Sequence, residues 1–126
     1  MNSEMVFGDY VRERRLQLGL SARELAIELG ISAVYVCEME KNRRCAPVDE
    51  KLERLAECLK LTSKEERNYF YDLAAKSKNT VSIDLPDYIM ERDIVRAALR
   101  TAKECDATDK EWAEFIERIR HRTEAN

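Results

Sequence analysis

The sequence predicts an all-α protein, in which a bundle of five short helices is followed by a C-terminal helical hairpin. One helix-start signal recurs along the chain, a Ser or Thr three residues before a Glu, as at Ser21, Thr62 and Thr108. In this capping box each side chain satisfies the other residue's free backbone donor. Apolar residues then follow at helical spacing. The 126 residues include only 3 glycines and 2 prolines, which disfavours a disordered chain.

Residues 21–42 predict two short helices joined by a tight turn. Ser21 and Glu24 open the first helix, and Gly30 can adopt the left-handed conformation that closes it. Ser32 caps the second helix. Apolar residues line one face of each helix, namely Leu25, Ala26 and Leu29 in the first and Val36 and Met39 in the second. Two such helices joined by a turn of three or four residues form a helix-turn-helix motif, whose second helix usually enters the DNA major groove.

Two more helices are predicted to complete the bundle. A fourth helix spans residues 49–59, and the capping box at Thr62 opens a fifth helix that extends to about residue 76. We expect the apolar residues of the fifth helix to complete the core, and these are Tyr69, Phe70 and Leu73.

With its flanks, the central stretch resembles the Cro and phage-repressor class of helix-turn-helix DNA-binding domains, also called XRE-like. The matching segment runs from about residue 7 to residue 61. It comprises Val11-Arg-Glu-Arg-Arg-Leu-Gln-Leu-Gly-Leu20, Ser21-x-x-Glu24-Leu25-Ala26, Gly30-Ile31-Ser32, Glu40-Lys-Asn-Arg43, Pro47 and Leu52-x-x-Leu55-Ala56. The resemblance implies a repressor-like bundle of five helices, in which the turn between helices 2 and 3 is fixed and helix 3 reads base edges.

The resemblance also implies roles for individual residues. Arg15 and Glu40 match a pair that forms a partly buried salt bridge between helix 1 and the end of helix 3. Asn42 stands where the family often has Gly, and Asn is the next-best residue for a left-handed helix end. In the family the fifth helix often lies at a dimer interface, which makes Tyr69 and Phe70 candidate contacts.

The recognition helix is predicted to run from Ser32 to about Lys41. Four of its residues are expected on the groove side, namely Ala33, Val34, Cys37 and Glu38. The better-known phage repressors carry glutamines at such positions. Here Ala33 and Val34 fit thymine methyl groups, and Glu38 fits the N4 donor of cytosine. Because none of them makes a bidentate purine contact, we expect direct base readout by this helix to be modest.

Phosphate contacts are predicted from a basic loop after this helix, formed by Lys41, Arg43 and Arg44. The net charge of the chain is −3, whereas nucleic-acid-binding domains are often basic. Binding depends on the local field, however, and the next acid after Glu40 is Asp49. The alternative is that the basic loop is merely solvated. Further DNA contacts are predicted from Ser21, Ala22 and Arg23 at the start of the second helix. Ser32 at the start of the recognition helix and Asn42 in the basic loop are also candidate DNA contacts.

Residues 77–86 break the helical period, and their alternating apolar residues predict an extended segment. It is either a linker or a short strand. We therefore divide the chain into a DNA-binding domain at residues 1–77 and a C-terminal segment at residues 78–126.

The C-terminal segment predicts two amphipathic helices, one beginning at Pro86 and one at the Thr108 capping box. A hairpin of about 35 residues is too small to be stable on its own core. It packs either onto its own bundle or onto the hairpin of a second chain. We favour the homodimer, because regulators of this class act as dimers on two-fold sites. The expected contacts are Ile94, Leu99, Trp112 and Phe115.

The sequence predicts neither an enzyme active site nor a metal site. The four cysteines show no C-x-x-C pairing and have no nearby histidine, which disfavours zinc. Cys58 is expected to be a small buried hydrophobe. The single histidine, His121, has no plausible catalytic partner. We therefore expect no cofactor.

The predicted partner is double-stranded DNA. No apolar run approaches the roughly 20 residues of a membrane span, and the N-terminus lacks a signal pattern, so we expect a cytoplasmic protein. The leading hypothesis is a transcriptional regulator, a repressor that binds an inverted repeat as a dimer. One alternative is a HigA-type antitoxin, which would also bind a partner toxin. Another is a protein-interaction module that has lost DNA binding.

Overall fold

The computed structural model describes residues 5–122 and folds them into helices joined by turns, with no strand in that range. The all-α prediction is confirmed. The described helices are α1 (Phe7–Gln17), α2 (Ala22–Leu29), α3 (Ala33–Glu40), α4 (Asp49–Cys58), α5 (Lys64–Lys78), α6 (Pro86–Glu91), α7 (Asp93–Glu104) and α8 (Asp109–Arg122). None of these helices is both long and apolar enough to span a membrane.

The start and stop signals around α2 and α3 work as predicted. Ser21 N–H donates to Glu24 Oε1 at 2.7 Å, and Glu24 N–H donates back to Ser21 Oγ at 3.0 Å. Gly30 has φ +71° and ends α2 in the left-handed conformation. Tyr35 N–H donates to Ser32 Oγ at 3.0 Å, which caps α3. Both ends of the turn are thus fixed by local hydrogen bonds.

The core lies among α1 to α5. Its largest fully buried side chains are Val11, Leu25, Val36, Met39, Leu52, Leu55, Leu59, Leu61 and Phe70. The rings of Phe7 in α1 and Phe70 in α5 pack at a tilt of 41°, with a centroid distance of 5.4 Å, and so close the core over the motif.

Phe70 was predicted as a contact between two chains, and this part of the prediction is wrong. Its side chain is 0% exposed because it packs against Phe7 and Tyr10. Tyr69, the preceding residue on the same helix, is 48% exposed. Of the two, only Tyr69 presents a ring to the surface.

Helix α5 begins one residue later than predicted. Its capping box is formed by Ser63 and Glu66, and Glu66 N–H donates to Ser63 Oγ at 3.0 Å. Thr62 and Ser63 are each followed three residues later by a glutamate, so the sequence offers two adjacent registers. The Ser63 register is the one that forms, so the capping box predicted from Thr62 and Glu65 is wrong.

The first compact unit ends at Pro86, beyond the boundary predicted at residue 77. Helix α5 ends at Lys78, its C-cap Asn79 is left-handed with φ +57°, and the chain then turns back. Ser82 is buried and its hydroxyl donates to Asp72 Oδ1, while Ile83 packs against the core. This segment is therefore an anchored loop, neither a free linker nor a strand.

The second compact unit comprises the chain from Asp87 onward. Its first helix was predicted as continuous, but Arg92 has extended angles and separates α6 from α7. Arg96 Nη1 donates to the carbonyls of Ile89 (3.0 Å) and Met90 (2.8 Å), which satisfies the last turn of α6. The Thr108 capping box of α8 is present as predicted.

Helices α7 and α8 together line an apolar groove of about 480 Å³. Trp112 and Phe115 pack edge to face within α8, with ring centroids 5.9 Å apart. The large apolar residues predicted as dimer contacts lie at the surface, namely Ile94, Leu99, Trp112 and Phe115.

Candidate nucleic-acid interface

One face of α3 is exposed and the opposite face is buried. Val34 is 69% exposed, and Ala33 and Cys37 are also exposed, whereas Glu38 is half-buried. Val36 and Met39 on the other face are 0% exposed. The four residues predicted to face the groove therefore share the outer side of α3, and α2 and the core fix the helix from behind.

Arg15 and Glu40 lie together as a buried bidentate ion pair. Arg15 Nε is 2.7 Å from Glu40 Oε2, and Nη2 is 2.9 Å from Oε1. The remaining nitrogen, Nη1, donates to the Leu20 carbonyl at 2.8 Å. The hydrogen bonds to Glu40 raise the pKa of Arg15. One guanidinium thus links the end of α1, the start of the motif and the end of α3.

A second link joins α1 to the chain just beyond α3. Gly8 N–H donates to Asn42 Oδ1 at 2.9 Å, and Asn42 Nδ2 donates to Asp9 Oδ1 at 3.2 Å. The backbone of Asn42 is left-handed, with φ +63°. Asn42 is a predicted DNA contact, and in the structure both polar atoms of its side-chain amide hydrogen-bond to α1.

Gly8 makes this close approach possible, and sequence reasoning missed it. A Cβ atom on residue 8 would lie 2.4 Å from the Met39 carbonyl oxygen and 2.7 Å from that of Glu40. Both are backbone atoms, which cannot rotate away. Only the residue without a Cβ lets α1 lie this close to the end of α3.

The basic loop is exposed and partly neutralised. Arg43 Nη1 lies 3.6 Å from Glu38 Oε2, whereas the guanidinium of Arg44 lies over the Tyr35 ring, 5.3 Å from its centroid. Lys41 is exposed at the end of α3. Glu38 and Arg43, which were predicted to contact different parts of DNA, therefore contact each other.

The start of α2 is a mixed environment for a phosphate. Ser21 and Arg23 are exposed and Ala22 is half-buried, so this end of the helix is accessible. Its first-turn N–H groups and dipole favour an anion. The Glu24 carboxylate, however, already accepts from Ser21 N–H at this end. An incoming phosphate would meet that negative charge.

The cysteines do not form a metal site or a disulfide among the described residues. All four thiols are free, and no group of three His, Cys, Asp or Glu residues in the described range could hold a metal ion. Cys37, Cys45 and Cys105 are exposed, and Cys58 is half-buried at the edge of the core. Burial raises the pKa of Cys58 to about 11, which keeps its thiol protonated and unreactive.

The similarity to known proteins covers the helices that form this interface. A family model described as a helix-turn-helix domain matches residues 6–70, slightly more than half of the chain. Among solved structures, the SinR protein/SinI protein complex is similar at 18% identity and a TM-score of 0.43, covering 94% of this chain and 99% of that one. No curated protein matches. The resemblance inferred from sequence is confirmed, and the chain belongs to the XRE-like helix-turn-helix family of DNA-binding domains.

Proposed function

We propose that this DNA-binding regulator is a transcriptional repressor that binds an inverted repeat as a homodimer. The observation that carries the proposal is the outer face of α3. Its side chains are exposed on the side of the helix opposite the buried Val36 and Met39, and the basic loop follows it directly. A rigid helix that presents small apolar side chains beside exposed arginines fits a major groove and its flanking phosphates.

Selection from random DNA, at a stated salt concentration, tests this proposal. We expect an enriched inverted repeat whose half-sites lie about one helical turn, roughly 34 Å, apart. Val34→Gln is expected to change the enriched bases, because Gln prefers adenine whereas Val contacts the thymine methyl group. Since Val34 is 69% exposed, the unfolding free energy of the Val34→Gln variant should differ from that of the parent by no more than about 0.5 kcal/mol.

Ile27→Gln is the matched control for this substitution. Ile27 is an exposed aliphatic residue on α2, outside the proposed interface. This variant should retain both the stability and the base preference of the parent. An unchanged preference in Val34→Gln would contradict the groove-facing role of Val34.

The salt dependence of binding tests the basic loop. If each subunit makes about three charged phosphate contacts, a dimer makes about six, and log K against log salt has a slope near −5. Arg43→Ala and Arg44→Ala should weaken all DNA sequences alike, and each should reduce the slope by roughly one to two. Lys103→Ala removes a positive charge outside the proposed interface and should leave the slope unchanged.

Two carboxylates favour a second candidate, an interaction module that does not bind DNA. Glu24 occupies the start of α2, and Glu38 is paired with Arg43, so both predicted phosphate sites contain an anion. A salt slope near zero, or arginine variants that bind as tightly as the parent, would favour this module over the repressor.

The apolar groove of α7 and α8 is the proposed dimer contact. Ile94, Trp112 and Phe115 line this groove, and Leu99 is a further exposed apolar residue of α7. So much exposed apolar surface favours burial against a second chain. We expect light scattering to show a dimer at micromolar concentration and Leu99→Glu to be a monomer. Trp112 is the only tryptophan, so its emission should shift to the red on dissociation.

The neighbouring substitution Arg100→Glu provides the control for Leu99→Glu. It introduces the same carboxylate on the same helix at another exposed position and should remain dimeric. A parent protein that is monomeric at high micromolar concentration would contradict the proposed dimer.

A further inference from the structure

Tyr35 contacts both the core and the loop that follows α3. It lies in the first turn of α3, half-buried, and packs against the core. Its backbone N–H is fixed by Ser32. On its outer side, the guanidinium of Arg44 lies 5.3 Å from the ring centroid, and the phenol donates to the Cys45 carbonyl at 3.4 Å. A residue of the recognition helix thus holds two consecutive positions of the loop that follows it.

The two arginines of the basic loop are held in different ways. Arg43 contacts the carboxylate of Glu38, so a phosphate would have to displace an anion. Arg44 contacts an aromatic face, which attracts the cation without neutralising its charge. A guanidinium held over a ring by its charge keeps N–H groups available to a phosphate. The cation–π contact also restricts the Arg44 side chain before DNA arrives, which lowers the entropic cost of binding a phosphate.

We propose that Tyr35 is a positioning residue that presents Arg44 to a DNA phosphate. This inference rests on the proposed DNA-binding function. It assigns the greater share of phosphate binding to Arg44, and it makes the geometry of the loop depend on α3 itself.

A double-mutant cycle on the selected DNA site tests the inference. Tyr35→Leu removes the ring but no charge, so it should weaken binding by about fivefold to thirtyfold for a dimer with two such sites, at an unchanged salt slope. Tyr35→Phe retains the ring and should bind nearly as the parent does. In the Arg44→Ala background, Tyr35→Leu should cause no further loss, because the residue that it positions is absent.

Arg44→Lys gives a test that leaves the core-packed ring untouched. It preserves the charge but replaces the planar guanidinium that lies over the ring, so we expect weaker binding at an unchanged slope. In the free protein, the Arg44 side-chain protons should show ring-current shifts in the parent and in Tyr35→Phe, and these shifts should vanish in Tyr35→Leu.

The failures of the inference and of the proposed function are distinguishable. Additive losses in the cycle, or parent-like binding by Arg44→Lys, would overturn the positioning role while leaving DNA binding in place. Absence of ring-current shifts in the parent would overturn it without any DNA measurement. A parent that binds no DNA at all would overturn the proposed function and this inference together.

Discussion

Replacing Glu40 with alanine is expected to lower the free energy of unfolding by about 3–5 kcal/mol. Arg15 and Glu40 are only 8% and 6% exposed, and they pair through two hydrogen bonds of 2.7 and 2.9 Å. Without the carboxylate, the Arg15 guanidinium stays buried with its charge uncompensated, since the Leu20 carbonyl is its one remaining hydrogen-bond partner within residues 5–122. Denaturant titration followed by circular dichroism measures the loss.

Glu38→Ala is the matched control for Glu40→Ala. It removes the same side chain from the same helix, and Glu38 also contacts an arginine, but the Arg43 side chain is 65% exposed. Exposed ion pairs contribute at most about 1 kcal/mol. Equal and small losses in the two variants would show that burial does not make the Arg15–Glu40 pair important for stability.

Gly8→Ala is expected to destabilise the protein by about 3 kcal/mol or more. The added methyl group would lie 2.4 Å from the Met39 carbonyl oxygen, so α1 and the end of α3 must separate. That separation also breaks the hydrogen bond from Gly8 to Asn42. Because Asn42 leads into the basic loop, we expect DNA affinity to fall in the fraction that still folds. Thermal and denaturant unfolding measure the first effect.

Gly19→Ala separates steric clash from backbone strain. Gly19 has φ +74°, but a Cβ atom there would meet no atom within 4 Å. Its substitution should therefore cost only the roughly 1–2 kcal/mol of a left-handed alanine. A Gly8→Ala variant as stable as Gly19→Ala would mean that α1 can move away from α3 at little cost.

The sequence predicted the motif well because its signals are local. The Ser21 capping box, the left-handed Gly30 and the Ser32 cap each act within a few residues. The Arg15–Glu40 contact is different. Nothing in the spacing of these two residues predicts it, and it came from the family resemblance.

The features that the sequence missed depend on tertiary approach. Gly8 looks like any glycine until α1 is seen against the end of α3. Tyr35 looks like a core aromatic until the loop brings Arg44 over its ring. Phe70 and Tyr69 are adjacent and similar, and only the packing against Phe7 decides which of them is buried. The break at Arg92 has no glycine or proline to mark it.

The packing of Phe7 against Phe70 has a consequence for synthesis of the chain. The whole helix-turn-helix, with the pair that fixes α3, leaves the ribosome before α5 does. Until then Phe7 lacks the ring on which it packs, and one side of the core is open. Local helices such as α2 and α3 can form at once, but docking of α1 must wait for a contact distant in sequence. The residues of the recognition surface are therefore translated well before the core that supports them is complete. The domain can hold its fold only after Phe70 has been translated.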